Sequence, residues 1–201
     1  MKISLIGMTG TGKTYWTKKL VRLGFKKFCC DDLIAEKLNL TGTTDMSKWM
    51  GQPFEKQHDR ASKHYLSLEE QVVKTILEEV KKMPEEDNVV IDTTGSVIYL
   101  SGALLTELGK LTTIVYFETP AWAQKQMYET YIKHPKPVIW GSVFHKKKGE
   151  KDFDALARCY PKLLAYRSRS YKSLADVTMD YNMLRQPNFS AEKFLKVLTK
   201  K

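Results

Sequence analysis

The chain has 201 residues, enough for one substantial α/β core and short for two domains. Hydrophobic residues at 42% and charged residues at 28% give the balance of an ordinary soluble globular protein, and no apolar run approaches the ~20 residues of a membrane span. The net charge of +10 favours anionic partners, and three cysteines (Cys29, Cys30 and Cys159), odd in number with two adjacent, argue for a reducing cytoplasm and against a disulfide framework.

The first element is "KISLI" (2–6), a short apolar run with the character of a buried strand rather than of a signal peptide. "GMTGTGKT" (7–14) follows and fits G-x-x-x-x-G-K-[ST]. Such a loop wraps backbone N–H groups around phosphates, its lysine reaches the β- and γ-phosphates, and its hydroxyl residue ligates Mg²⁺. The nucleotide set is therefore Gly7, Thr9, Gly10, Thr11, Gly12, Lys13 and Thr14, with Tyr15 next in line. "TYWTKKLVRLG" then places Trp16, Leu20 and Leu23 at helical spacing, with Gly24 as its C-cap. Strand, loop and helix in that order aim a helix N-terminus at the anion.

The second strand is "FKKFCC" (25–30), and "CCDDLIAE" carries Asp31 and Asp32 beyond it. A carboxylate there can hold Mg²⁺ through water or accept the proton of an attacking hydroxyl. Capping of the following helix is the alternative, open for Asp31 and second to function for Asp32. "YLSLEEQVVKTILEEVKK" repeats apolar residues at three- and four-residue steps and predicts a long helix. The third strand, "NVVIDTT" (88–94), ends in Asp92, placed like a Walker-B carboxylate, and Thr93, Thr94, Gly95 and Ser96 supply a close approach for a small substrate or a plain tight turn.

"TTIVYFE" (112–118) is the fourth strand, and "TPAWAQKQMYETYIKHP" is a helix with Pro120 in its first turn and Pro135 closing it. From Lys133 to about Phe153 the chain is basic and proline-broken, longer at ~20 residues than ordinary connections, and suits a lid. Lys136, Arg158, Arg167 and Arg169 are the cations at hand for a transferring phosphoryl group. The run "HKKKGEK" fits a solvated loop better than a nucleic-acid patch. A helix from about Asp154 to Leu174, the strand "DVTMDY" (176–181) and the helix "SAEKFLKVLTKK", with Ser190 as N-cap, complete the chain. The four histidines show no ligand spacing, so Mg²⁺ with nucleotide is the metal expected.

With these motifs in place the chain resembles the shikimate kinases, among the nucleoside-monophosphate-kinase-like P-loop enzymes. "FCCDDLIAE" is similar to the family's F-x-D-x-D-x-x-I-E, "GQPF" to G-E-x-x-F, "TTGS" to T-G-G-G, "KPVI" to R-P-L-L, and "RSRSYKSLADVTMD" to R-x-P-L-Y-x-x-x-A-D and the last strand. The resemblance implies a three-layer α/β P-loop kinase fold over residues 1–201, a five-stranded parallel sheet flanked by helices, a substrate-binding helical segment at about 32–62 and a lid at about 133–153. It implies ATP and Mg²⁺, a small anionic substrate led by shikimate, and a monomer in the cytoplasm without membrane attachment. By position, Lys13 and Thr14 would hold phosphates and Mg²⁺, Asp32 the acceptor hydroxyl, Gly95 the substrate's near side, Lys136 the place of the lid arginine and Arg167 the substrate carboxylate. The chain departs from the pattern at Cys30, where the first aspartate is expected, leaving Asp31 or Asp92 to supply the Mg²⁺-side carboxylate, and at Glu55, where an arginine is expected. A polynucleotide 5′-hydroxyl or nucleoside-phosphate kinase and a nucleotide-binding protein without transfer are the competing readings; adenine recognition is expected near Arg185.

Overall fold

A computed structural model describes residues 1–134 and 136–199, with the side chain of residue 43 left out. Pro135, expected to close a helix, lies outside the described residues. Five strands, β1 (Lys2–Ile6), β2 (Lys26–Cys29), β3 (Val89–Asp92), β4 (Thr113–Phe117) and β5 (Val177–Met179), form one all-parallel sheet in the order β2-β3-β1-β4-β5. Each reading of a strand from the sequence is met, the first at its full 2–6 and the other four with their ends trimmed.

The sheet is apolar on both faces, as a parallel sheet covered by helices must be. Ile3, Leu5, Val90, Val115 and Phe117 pack against Trp16 and Leu20 of α1 (Lys13–Val21) and Phe194 of α8 (Ala191–Leu198). Ile6, Phe28, Ile91, Ile114 and Tyr116 face the opposite way, into a core shared with α4 (His58–Lys82), α5 (Gly102–Leu111) and α7 (Asp152–Leu174). Alternating residues of one strand thus serve two cores. The remaining helices are α2 (Cys30–Lys37), α3 (Gly42–Met50) and α6 (Ala121–Lys133).

Local signals explain most boundaries. Ser190 Oγ accepts from the Lys193 amide and caps α8, as expected. α1 stops at Val21, so Leu23 lies beyond it and is exposed, a correction to the helical stripe; Gly24 makes the left-handed turn at φ +88°. α4 begins two turns before the periodic run, because His58–His64 is polar and buries only Ala61 besides His58. α5 was not anticipated; its short apolar sequence buries just Leu104 and Leu108. Cys30 belongs to α2 rather than to the second strand.

Register fixes the site. Leu5 lies opposite Asp92, and Asp92 opposite Cys29. The residues leaving β1, β2 and β3 therefore emerge side by side at the carboxyl edge of the sheet, where ligands of such folds sit.

Candidate active site

The loop from Gly7 to Thr14 is built for an anion. Gly7, at φ +144°, passes so close to β4 that a Cβ would stand 3.1 Å from the Phe117 carbonyl oxygen. Gly10 and Gly12 also take positive φ, which only glycine adopts without strain. α1 starts at Lys13 with no side-chain cap and no acidic residue in its first turn, so its free N–H groups remain available to phosphate. Lys13 Nζ bridges the loop, donating to the carbonyls of Gly7 at 2.9 Å and Met8 at 3.2 Å, while Thr11 Oγ1 donates to Met8 O. Burial lowers the Lys13 pKa, opposed by Asp92 and Asp31. Tyr15 is exposed and, with Trp16, Arg185 and Pro187, lines a separate cavity against Thr11 and Gly12. There Arg185 donates to Thr11 O and lies 3.3 Å over the Tyr181 ring.

Asp92 ends β3 fully enclosed, near Lys13, Thr14 and Thr17; burial raises its pKa, with Lys13 the main opposing influence. Its Oδ2 is buried with no hydrogen-bond partner among the described residues. An orphaned carboxylate oxygen next to a loop threonine is what a hydrated Mg²⁺ requires, so these residues fit that ion.

The two aspartates after β2 part company. Asp31 Oδ1 accepts from Tyr65 Oη at 3.1 Å and lines the cleft with Thr9, Gly95 and Arg167. Its carboxylate opens onto cleft solvent, but the surrounding walls raise its pKa, with Lys13 opposing. Asp32 points away, exposed, and pairs with Lys27 at 3.6 Å. The sequence reading had placed Asp32 toward the acceptor. The strand ends at Cys29 and the helix starts at Cys30, so the ~100° turn per helical residue carries Asp31 inward and Asp32 outward.

Arg167, on α7, is buried, donates from Nη2 to the Ile139 carbonyl at 2.7 Å and lies over the Tyr99 ring. Gly95 lets the β3 loop close on it: a Cβ there would stand 3.0 Å from Thr9 Oγ1 and 3.4 Å from Arg167 Nη1. Tyr171, stacked on Tyr116, donates to Gly95 O. Lys136 is half-buried and lines the cleft beside Thr9 and Arg167. The other cations are elsewhere. Arg158 is committed to a fork on Glu150, at 2.8 and 2.7 Å, plus the His145 carbonyl, and Arg169 is exposed. Glu55 is folded into its own turn, accepting from Gln52 N and Gln57 Nε2.

One group escaped the sequence reading. Glu69 is wholly buried beneath the site, accepting from Thr94 Oγ1 and, at 2.5 Å, from Ser96 Oγ. Burial pushes its carboxyl up to about 7, against the two hydroxyl donors. The signal was present: Glu69 falls in phase with Tyr65, Val72 and Ile76 on the buried stripe of α4. Burial also raises the Cys29 thiol to about 12, so it stays protonated.

The fold has counterparts in solved structures. The shikimate kinase of Acinetobacter baumannii, solved in complex with shikimate, matches over 98% of this chain and 89% of its own, with 22% identity and a TM-score of 0.59. The chain has the shikimate kinase fold. The shikimate kinases of Aquifex aeolicus (20% identity, TM-score 0.62) and Bacteroides thetaiotaomicron (18%, 0.63) each match over 98% of this chain and 96% of theirs. No protein-family model matches the chain, and no curated protein sequence does. The α/β class and the five-stranded parallel sheet expected from the resemblance are those of the shikimate kinase fold. No helix among the described residues is long and apolar enough to cross a membrane.

Proposed function

We propose that the protein transfers the γ-phosphoryl group of ATP to a hydroxyl of a small anionic metabolite. The observation that carries this reading is the meeting of an anion-binding loop, one carboxylate (Asp31) and one buried cation (Arg167) around Thr9 and Gly95. The acceptor oxygen forms a bond to Pγ as the bond from Pγ to the β–γ bridging oxygen breaks, and ADP leaves with that electron pair. The hydroxyl proton passes to Asp31, whose carboxylate lines the cleft beside Thr9 and Gly95 and whose pKa burial raises, strengthening it as a base. Lys13 exchanges its loop carbonyls for phosphate oxygens, and Lys136 on the lid adds charge to the transferring group. Thr14 and Asp92 would hold Mg²⁺, which supplies charge neutralisation at the β- and γ-phosphates when bound.

Arg167 takes the acceptor's anionic group. In this reading Asp31, not Asp32, orients the acceptor, and the lid spans about 133–153. Shikimate is the first acceptor to test, because the Acinetobacter enzyme of the same fold was solved with it. A reducing cytoplasm fits the three free thiols. The test is ADP release from ATP and Mg²⁺ with shikimate, against a control without acceptor. Acceptor-dependent release supports the reading; tight ATP binding with no release by shikimate, other hydroxy acids or 5′-hydroxyl oligonucleotides rejects transfer.

A further inference from the structure

The acceptor side of the cleft has little room of its own. The space bounded by Asp31, Tyr65, Gly95, Ser96 and Arg167 measures about 40 Å³, and a water molecule needs roughly 10–15 Å³ of such space. A second cavity of about 210 Å³ opens between α6 and α7, larger than the roughly 150 Å³ apolar cavity that accommodates benzene. Its floor is the phosphate loop at Met8, Thr9 and Gly10. Its walls are Met127, Tyr131, Tyr160, Leu163 and Leu164.

The two cavities share Thr9, Lys136 and Arg167, and a four-residue segment partitions them: Val138 lines the larger, Pro137 and Ile139 the smaller. Tyr131 and Tyr160 stack on each other at 4.9 Å and present aromatic wall. Burial lifts both phenols, Tyr160 to about 12, so neither is charged near neutrality. Arg167 stands at the junction, buried, with an Nε that meets no acceptor among the described residues. A buried guanidinium beside a ring-sized cavity with one aromatic and aliphatic wall, formed by Met127, Tyr131, Tyr160, Leu163 and Leu164, and a polar rim at Gln126, Thr130 and His134 selects a ligand that is anionic at one point and aromatic next to it. With the nucleotide base beside Arg185, where the sequence leads one to expect it and where Tyr15 and Pro187 line a separate cavity, the α6–α7 cavity is left to the acceptor.

We infer that the acceptor is a hydroxy acid bearing an aromatic arm, with the arm in the α6–α7 cavity, the acid on Arg167 and the hydroxyl at Asp31. This rests on the phosphoryl-transfer reading and sharpens its acceptor; shikimate, without an arm, becomes the comparison compound.

The test uses the full chain, Mg²⁺ and a non-hydrolysable ATP analogue, and measures by calorimetry the binding of 3-phenyllactate, lactate and shikimate. Burying the ring makes 3-phenyllactate bind at least about tenfold tighter than lactate or shikimate. Thr130→Trp fills the cavity from an exposed rim position, removes that advantage and leaves the affinity for the ATP analogue unchanged. In parallel, 3-phenyllactate drives ADP release from ATP. An advantage under about threefold, or one that survives Thr130→Trp, overturns the arm. ADP release with lactate or shikimate and no gain from the ring overturns the arm alone and keeps the kinase. Ring-dependent binding without ADP release from any hydroxy acid overturns the transfer reading, and with it the ring's standing as acceptor.

Discussion

On the phosphate side of the cleft, the contacts offered to a ligand are backbone: three glycines at positive φ, the uncapped start of α1, and one lysine held across the loop by carbonyls. On the acceptor side they are side chains, with Asp31 held by Tyr65, Arg167 by Ile139 O, and Thr94 and Ser96 by the buried Glu69. A backbone site is specified by a short motif, because glycine and a helix start have the same geometry wherever they occur. A side-chain site depends on the register of several elements at once, and one residue of slip at a helix start exchanges an inward carboxylate for an outward one. The phosphate side should therefore fail through a single residue, and the acceptor side through which of two neighbours is changed.

The largest effect is expected at Lys13. Lys13→Ala removes the cation placed for the transferring group and lowers kcat by at least ~10³-fold. Its hydrogen bonds go to loop carbonyls, so thermal unfolding moves little. A kcat within tenfold of wild type would show that backbone alone runs the phosphate side.

Next comes the aspartate pair. With Asp31 as the proposed proton acceptor, Asp31→Asn is expected to cost about 10²–10³-fold in kcat/KM. Asp32→Asn, which loses an exposed pairing with Lys27 and the approach to the Cys29 thiol, stays within about threefold, because an exposed pair contributes ~1 kcal/mol at most. The reverse ranking would return the acceptor role to Asp32 and break the structural assignment.

That pair also marks how far the sequence could be read. The strands, the loop, α1, α7 and the Ser190 cap follow from local patterns: apolar runs, a spaced motif, three- and four-residue periodicity, a hydroxyl before a helix. The inward turn of Asp31 does not, because "CCDD" carries no marker for whether the helix begins at Cys30 or one residue later. Arg158 and Arg167 look equivalent as cations nine residues apart in the chain, and only the packing of the 145–150 turn gives one to Glu150 and leaves the other at the cleft. α5 was missed because ten residues with two buried leucines give too little periodicity to stand out. Glu69 was legible as an acid on an apolar stripe, but its partners Thr94 and Ser96 lie across the sheet edge, out of reach of any spacing argument.

Glu69 gives the acceptor side a pH dependence that the structure reads out through stability. Its folded pKa is raised, from the ordinary 4.5 to about 7. Below pH 4.5 folded and unfolded chains are both protonated there. Between the two values the unfolded chain gives up a proton that the folded one keeps, so stability falls as pH rises, by on the order of 3 kcal/mol once pH exceeds 7. Asp31 and Asp92, also raised by burial, add slope of the same sign. Denaturant unfolding at pH 5.5 and 8 should show greater stability at the lower pH, and Glu69→Gln should remove much of the difference. An unchanged slope in the variant would mean that the Thr94 and Ser96 hydroxyls hold the carboxylate ionised.

The smallest effect is expected at the 145–150 turn, in the segment proposed as a lid. Arg158 forks Glu150 and reaches the His145 carbonyl, tying the 145–150 turn to α7. The fork holds the Glu150 carboxyl down at about 2, so the brace is complete above the ordinary carboxyl range and is lost only as pH falls through about 2. It therefore contributes no pH dependence near neutrality, in contrast to Glu69. Arg158→Ala frees the turn without touching Lys136, Arg167 or the phosphate loop. Proteolysis between 141 and 151 should then quicken by several fold, since local opening is what a protease samples, while the global unfolding midpoint moves by no more than about 2 °C. If cleavage does not quicken, the turn is held by its aromatic contacts, Trp140 against Phe144 and Tyr160, and the ionic brace is incidental. If the midpoint falls further, this segment is part of the cooperative core, and a lid movement there would require partial unfolding rather than the release of a loop.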